Sequence, residues 1–177
     1  MDELKYFYAQ TVTDAHGKIK KTNNRLAYVT DDVGASIVGV GDIGNQSIGN
    51  YKYDAKGRIT SDVASGIKNI EWTVYDKVKK IIFINAAKGS IDFTYNSKQQ
   101  RLTKKETPQN TNQSITTIYS YDASGILMAT YRYRKIGNVF KYELLEEEIY
   151  GLSRLGNYKA NEVLTSNLSV AQNSPGK

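Results

Sequence analysis

Residues 51–59 read YKYDAKGRI, a pattern that predicts the end of one strand, a tight turn and the start of the next strand. Tyr51 and Tyr53 are two positions apart, so both rings leave the same face of an extended strand. The Asp54 side chain can accept a hydrogen bond from the backbone two residues on, which opens a turn. Gly57 can adopt the positive φ that a short hairpin with a bulge requires. We therefore expect a β-hairpin here.

The same pattern returns along the chain. It is clear in YDASGIL at residues 121–127, looser at 13–19, 75–81 and 95–102, and reduced to a trace at 150–155. A unit that returns at a spacing of this order indicates a repeat architecture. Its aromatic residues, which are 22, 20, 26 and 29 positions apart, are Tyr53, Tyr75, Tyr95, Tyr121 and Tyr150.

The repeat predicts a set of structural anchors at the strand ends and turns. Each hairpin buries too little apolar surface to be stable alone, so neighbouring hairpins must pair edge to edge. We expect the tyrosine rings to form ladders on one face of the resulting sheet. The predicted repeat anchors are Tyr53, Asp54, Gly57, Tyr75, Asp76, Tyr95, Tyr121, Asp122, Gly125, Tyr150, Gly151 and Arg154.

Composition supports an all-β fold. The 177 residues include fourteen tyrosines against four Phe and one Trp, and tyrosine favours the half-buried surface of a sheet. No segment sustains a helical period over three turns, so we predict essentially no α-helix. The expected architecture is a curved antiparallel sheet of successive hairpins over residues 1–165, followed by a flexible tail at 166–177.

Several segments carry individual predictions. Alternation predicts a strand at Asn69–Tyr75, and the apolar run at Lys80–Ile84 predicts a strand buried on both faces. Residues 30–50 are rich in Gly and Asp and predict a long loop with one short strand at Ile37–Val38. In the segment 139–149, three consecutive glutamates interrupt the alternation and leave a single helical turn as an alternative, but we predict a strand that leads into Ile149 and Tyr150. After Gly156 the strand signal fades.

Charge and composition exclude several classes of protein. The net charge is +6, but Lys and Arg are spread along strands and turns, which is typical of solvated faces and protected edges rather than a nucleic-acid interface. There is no cysteine, which excludes disulfides, thiolate zinc sites and a cysteine nucleophile. Residues 1–5 lack the features of a signal peptide, and the longest apolar run, Ile81–Ile84, is too short to cross a bilayer.

No constellation of residues indicates catalysis. His16 is the only histidine and falls in a predicted turn, so neither a metal site nor a catalytic pair is expected. Asp31, Asp32 and Asp42 lack the spacing of a calcium loop. The letters GxGxxG at residues 39–44 lack the strand and helix of a dinucleotide site. We therefore predict no catalytic residue, cofactor or metal, and keep tyrosine stacking on a glycan as the open alternative.

These residues resemble the YD-repeat or rearrangement-hotspot (Rhs) family. Tyr53–Ile59 and Tyr121–Leu127 are similar to its signature, a Tyr-Asp pair, two or three residues, Gly, and then a polar and an apolar residue. Glu148–Gly156, which contains the run YGLSRLG, resembles stretches of such proteins from Bacteroidetes-type bacteria, as do Asn23–Leu26, Gly49–Tyr51 and Asn69–Trp72. The resemblance covers roughly residues 10 to 160.

The resemblance implies a β-strip that forms part of a hollow shell, either around a toxin or in a cell-surface or secreted protein. The sequence has no Asp-Pro-x-Gly stretch, so self-cleavage and toxicity are not carried over, and a strip of this length is too short to close a shell. We expect a non-catalytic module that pairs with a larger Rhs-family partner through exposed strand edges, with export carried by that partner. A carbohydrate-binding piece of an adhesin is the alternative, and an enzyme comes third.

Overall fold

The computed structural model describes residues 4–8, 11–13, 16, 19–21, 24–31, 43–109, 111–151 and 153–166. These residues form strands joined by turns and contain no helix, so none of them belongs to a helix long and apolar enough to span a bilayer. The strands are β1 (Leu4–Tyr8), β2 (Thr11–Thr13), β3 (Ile19–Lys21), β4 (Leu26–Asp31), β5 (Tyr51–Tyr53), β6 (Ile59–Asp62), β7 (Ile67–Trp72), β8 (Val78–Phe83), β9 (Ser90–Tyr95), β10 (Arg101–Thr107), β11 (Gln113–Tyr121), β12 (Leu127–Ile136), β13 (Val139–Tyr150) and β14 (Arg154–Ser166).

The strands pair mainly with their neighbours in sequence. Strands β5 to β14 follow one another in a ten-stranded sheet, while β1 pairs with β4 and β2 pairs with β3. All of the described ladders are antiparallel, as hairpins require. The prediction of an all-β antiparallel sheet of hairpins is therefore confirmed.

The chain divides into two compact units. The first comprises Met1–Glu71 with Ile82–Ile84, and the second comprises Trp72–Ile81 with Asn85–Lys177. The predicted limits of the strip, 1–165, and of the tail, 166–177, stay predictions because residues 167–177 lie outside the described part of the chain.

The first unit is held by amide side chains as well as by apolar packing. Val29 is buried on β4, and its amide donates to the Gln46 side-chain oxygen at 3.0 Å. Asn50 is also buried, and its side chain donates to Asp62 at 3.0 Å and accepts from the amide of Ala64 at 2.6 Å. Most of the predicted loop at 30–50 lies outside the described residues, including the strand predicted at Ile37–Val38.

The second unit has a thin core. Its buried apolar residues include Ala129 on β12 and Leu144 on β13, while most strand side chains are half-buried. Strand β13 continues through its three glutamates with a register shift between Leu144 and Glu146, so the predicted strand is confirmed there. Strand β14 continues to Ser166, beyond the point at which the sequence pattern fades.

Two predicted elements need correction. The strand predicted at Asn69–Tyr75 ends at Trp72, because a turn begins at the next residue. The strand predicted at Lys80–Ile84 exists but is not buried on both faces: Ile81–Phe83 are half-buried and Ile84 is 53% exposed. Its consecutive apolar residues point alternately to two faces, and each face keeps access to solvent.

Candidate functional site: the tyrosine-linked turns

Four turns share one backbone geometry. We call the residue that follows the strand-end aromatic residue the opening residue of the turn. Its amide donates to the carbonyl four positions on, which closes the hairpin. These donor and acceptor pairs are Asp54 and Arg58 (2.9 Å), Thr73 and Lys77 (2.8 Å), Asn96 and Gln100 (3.0 Å), and Asp122 and Ile126 (2.9 Å).

The side chain of each opening residue completes its turn. A side-chain oxygen of the opening residue accepts a hydrogen bond from the amide four positions on, at distances of 2.7 to 3.1 Å. Asp54 and Asp122 do this with a carboxylate, Asn96 with an amide oxygen and Thr73 with a hydroxyl. The pKa of Asp122 is lowered, chiefly because the Ile126 amide donates to its carboxylate. Three residue types therefore fill one structural position, which explains why the repeat looks loose in sequence.

The fourth residue of each turn has a positive φ. This residue is Gly57 (φ 86°) and Gly125 (φ 98°) in the two turns with the clear sequence signature. Asp76 (φ 58°) and Gln99 (φ 62°) occupy the same position in the other two. Left-handed backbone is unfavourable for most residues other than glycine, so these two turns carry strain that the signature turns avoid.

The roles predicted for Tyr75 and Asp76 are therefore wrong. Trp72 ends β7 and occupies the place of the aromatic anchor, and Thr73 opens the turn. Tyr75 lies inside the turn with 67% of its surface exposed. The reason is that Thr73 opens the turn three residues before the Tyr-Asp pair could do so, and its hydroxyl accepts the hydrogen bond from the Lys77 amide.

The remaining anchor tyrosines share a second feature. Each is the last residue of its strand, and its hydroxyl donates to the carbonyl oxygen of the first residue of an earlier strand. The donors and acceptors are Tyr53 and Leu26 (2.9 Å), Tyr95 and Val78 (2.8 Å), Tyr121 and Arg101 (3.0 Å), and Tyr150 and Leu127 (2.9 Å). Desolvation of the ring raises the pKa of Tyr53 and of Tyr121, so both hydroxyls stay protonated as donors.

In the second unit these hydrogen bonds advance along the sheet in a fixed register. Arg101 lies opposite Tyr95 across its turn and accepts the hydroxyl of Tyr121. Leu127 lies opposite Tyr121 and accepts the hydroxyl of Tyr150. The residue opposite one anchor is thus the acceptor for the next anchor, and each hairpin fixes the position of the hairpin that follows it.

Side chains of one turn also bind the backbone of the next. The Lys98 ammonium donates to the carbonyl of Ala123 at 2.9 Å, and the Gln100 side-chain amide donates to the carbonyl of Gly125 at 2.6 Å. Both contacts join the turn after β9 to the turn after β11. Together with the Tyr121 hydroxyl, they align the two turns at the same end of their hairpins.

The ring ladders form elsewhere than predicted. Stacked rings are found at Phe7 and Tyr28 in the first unit, and in the second at Tyr131 with Tyr142 and Tyr133 with Phe140. The last two pairs are diagonal neighbours across β12 and β13. These rings belong to residues within strands, whereas the repeat anchors act through their hydroxyl groups at the strand ends.

The last predicted unit, Tyr150 to Arg154, makes a shorter turn. The Gly151 amide donates to the carbonyl of Ser153 at 2.9 Å. Arg154 begins β14 opposite Tyr150, and its guanidinium pairs with both carboxylate oxygens of Glu148. An ion pair between β13 and β14 therefore lies beside this turn.

A charge cluster on β12 and β13 was not predicted from the sequence. The carboxylate of Glu143, only 3% exposed, lies 2.9 Å from Nε of Arg132, 2.9 Å from Nε of Arg134 and 3.0 Å from Nζ of Lys141. The hydrogen bond from Arg132 is the main reason why the pKa of Glu143 is lowered to about 2. A carboxylate that stays ionised at neutral pH is not suited to act as a general acid.

An open hollow lies beside the turn after β7. Its lining includes the ring of Tyr75, the rings of Phe93 and Tyr95, and the amides of Asn96 and Gln99. The ring of Tyr75 is exposed here, and an exposed aromatic face with an amide side chain such as Gln99 beside it can stack on a sugar ring and bind its hydroxyls.

The remaining predicted candidates form no metal cluster in the described residues, and several of them lie outside that part of the chain. In the described part of the chain, no three His, Cys, Asp or Glu residues are grouped so that they could hold a metal ion. His16 lies in an exposed turn between β2 and β3, as predicted. Asp32, Asp42 and the start of the GxGxxG letters at 39–42 lie outside the described residues.

Comparison with known proteins gives no match: neither a protein-family model nor a curated protein corresponds to this chain.

Proposed function

We propose that this chain is a non-catalytic structural module whose hairpins form part of the wall of an Rhs-like β-shell. The observation that carries the proposal is the repeated hydrogen bond from a strand-end tyrosine hydroxyl to the first carbonyl of an earlier strand. Such a bond contributes to the position of each hairpin rather than to any reaction. A chain built in this way serves to place strands next to one another.

The position of β14 at the end of the strand order supports the proposal that a partner adds strands to this sheet. Strand β14 is the last in the strand order and, at 13 residues, the longest of the described strands. An edge strand presents unpaired amides and carbonyls along one side, which favours pairing with another chain. We propose that the partner is a larger YD-repeat protein, a toxin shell or a cell-surface adhesin, and that it carries the module to the cell surface or out of the cell.

Hydrogen exchange on a reconstituted complex tests this proposal. A recombinant YD-repeat shell protein, shortened by several of its hairpins, is mixed with the chain and analysed by size exclusion with light scattering. We expect a stable complex in which amides of β14 exchange more slowly than in the free chain. A monomer that ignores the shortened shell, with β14 amides unchanged, would contradict the proposal.

Carbohydrate binding is the second candidate, and the hollow beside Tyr75 favours it. Tyr75 is exposed in a turn where it contributes little to the hairpin, and Gln99 lines the same hollow. A glycan array with the native chain and with Tyr75→Ala tests this candidate. Binding that is lost in Tyr75→Ala supports it, and an array without binding removes it.

A further inference from the structure

We propose that the carbonyl oxygen of Arg154 is the acceptor for a tyrosine hydroxyl supplied by a partner chain, so that β14 selects strands that end in tyrosine. This inference rests on the proposed strand addition and deepens it, because it names the chemistry by which a partner strand is recognised and held in register.

The register of the tyrosine hydrogen bonds identifies the acceptor. The residue opposite Tyr95 accepts the hydroxyl of Tyr121, and the residue opposite Tyr121 accepts the hydroxyl of Tyr150. The residue opposite Tyr150 is Arg154, the first residue of β14. The next hydroxyl in the series therefore belongs on its carbonyl oxygen.

The surroundings of Arg154 fit an added strand. Its guanidinium pairs with both carboxylate oxygens of Glu148, so the side chain is turned towards β13. Leu155 and Tyr158 follow on β14 with most of their surfaces exposed. An added strand would cover these apolar side chains, which gives it a hydrophobic contribution besides the ladder of backbone hydrogen bonds.

The strand that fits is antiparallel to β14 and ends in tyrosine at the level of Arg154. The tyrosine-ended strands β11 and β13 already show this arrangement against β10 and β12, with nine and twelve residues. After the tyrosine we expect Asp, Asn or Thr, because these residues open the turns of this chain. A second copy of this chain fits less well, since its Tyr53, Tyr95, Tyr121 and Tyr150 already donate within the chain.

The probe is a fluorescent synthetic peptide with the sequence of residues 111–124, which contains β11 and the start of its turn. Its binding to the full chain is measured by anisotropy, and the contact is mapped by amide and carbonyl chemical shifts in NMR. We expect shifts along β14, including the carbonyl carbon of Arg154. The Tyr121→Phe peptide should bind roughly two- to ten-fold more weakly, because one hydrogen bond is lost.

The Tyr119→Phe peptide is the matched control, since it loses the same atom two positions earlier and should bind like the native peptide. Equal binding of all three peptides along β14 would leave strand addition standing and overturn the role of the tyrosine hydroxyl. No binding at β14, or shifts confined to β10 and β12 through replacement of β11, would overturn both proposals. If instead the chain forms a dimer that prevents the native peptide from binding, the strand added to β14 comes from a second copy of this chain and not from a different partner.

Discussion

The hydroxyl of Tyr95 donates a hydrogen bond of 2.8 Å to the carbonyl oxygen of Val78, which lies 17 positions earlier in the chain. The bond joins the end of β9 to the start of β8. It therefore holds the turn after β9 beside the end of the turn after β7. Phenylalanine would fill the same space without the donor. This use of the hydroxyl gives a physical reason for tyrosine rather than phenylalanine at the four anchor positions that donate in this way.

Replacement of Tyr95 by Phe tests the contribution of this bond. The variant keeps the ring but leaves the Val78 carbonyl without its side-chain donor, so we expect the free energy of unfolding to fall by about 0.5–1.5 kcal/mol. Urea denaturation followed by circular dichroism measures the change. Tyr75→Phe is the control, because its ring is exposed in a turn and the change should stay within about 0.5 kcal/mol. Equal losses in both variants would contradict the assigned role of the hydroxyl.

Asp122 provides a test of the opening position. Its carboxylate accepts hydrogen bonds from the amides of Gly125 and Ile126, each at 2.7 Å. Asp122→Ala removes these acceptors and should destabilise the chain by roughly 1 kcal/mol, whereas Asp122→Asn should retain most of the stability because Asn96 performs the same task in its own turn. The midpoint of thermal unfolding measures both variants. Asp122→Asn as unstable as Asp122→Ala would show that the charge, and not the acceptor, matters.

The fold class was predictable because alternation and turn residues are local signals. The hairpins centred on Gly57 and Gly125 follow directly from Asp-x-x-Gly, and the structure bears out both turns together with the bulges beside Tyr53 and Tyr121. The sequence pattern places the turn after β7 at the Tyr75-Asp76 pair, which matches the signature. In the structure Thr73 opens this turn, because its hydroxyl accepts the hydrogen bond that an Asp carboxylate accepts in the signature turns.

The tyrosine hydrogen bonds and the Glu143 cluster could not be predicted from the sequence. Both depend on which residues lie opposite one another, and each register shift changes that pairing by one residue. The sequence does carry one signal for the cluster: charged residues stand two positions apart on each strand, Arg132 and Arg134 on β12 and Lys141 and Glu143 on β13. This signal becomes readable only once the hairpin between the two strands has been placed.

Gln99 tests the strain at the fourth position of the turn. With a φ of 62° it occupies the place that Gly57 and Gly125 hold in the signature turns. Gln99→Gly relieves the left-handed strain of about 1–2 kcal/mol and adds an entropic cost of about 0.5–1 kcal/mol, so we expect a net gain of roughly 0.5–1 kcal/mol. Chemical denaturation measures it. Gln99→Ala keeps the strain and should give no gain; a gain of the same size in that variant would argue against strain as the cause.

Glu143 makes a distinct contribution to the dependence of stability on pH. Its pKa is lowered from 4.5 to about 2 in the folded chain, chiefly by the hydrogen bond from Arg132. Because the folded form holds the ionised carboxylate more strongly than the unfolded form does, this contribution is complete above pH 4.5 and is lost as the pH falls towards 2. Urea denaturation at intervals between these values should therefore show a decline in the free energy of unfolding.

The variant Glu143→Gln should remove this decline. It should also be less stable at pH 7, by roughly 1–3 kcal/mol, because Arg132, Arg134 and Lys141 lose their shared carboxylate and repel one another. Glu147→Gln is the matched control, since Glu147 lies on the same strand but is exposed. The difference between native chain and variant, taken at each pH, isolates Glu143 from the other carboxylates. If native chain and Glu143→Gln lose stability in parallel from pH 4.5 to 2, the buried carboxylate is not the group that titrates there.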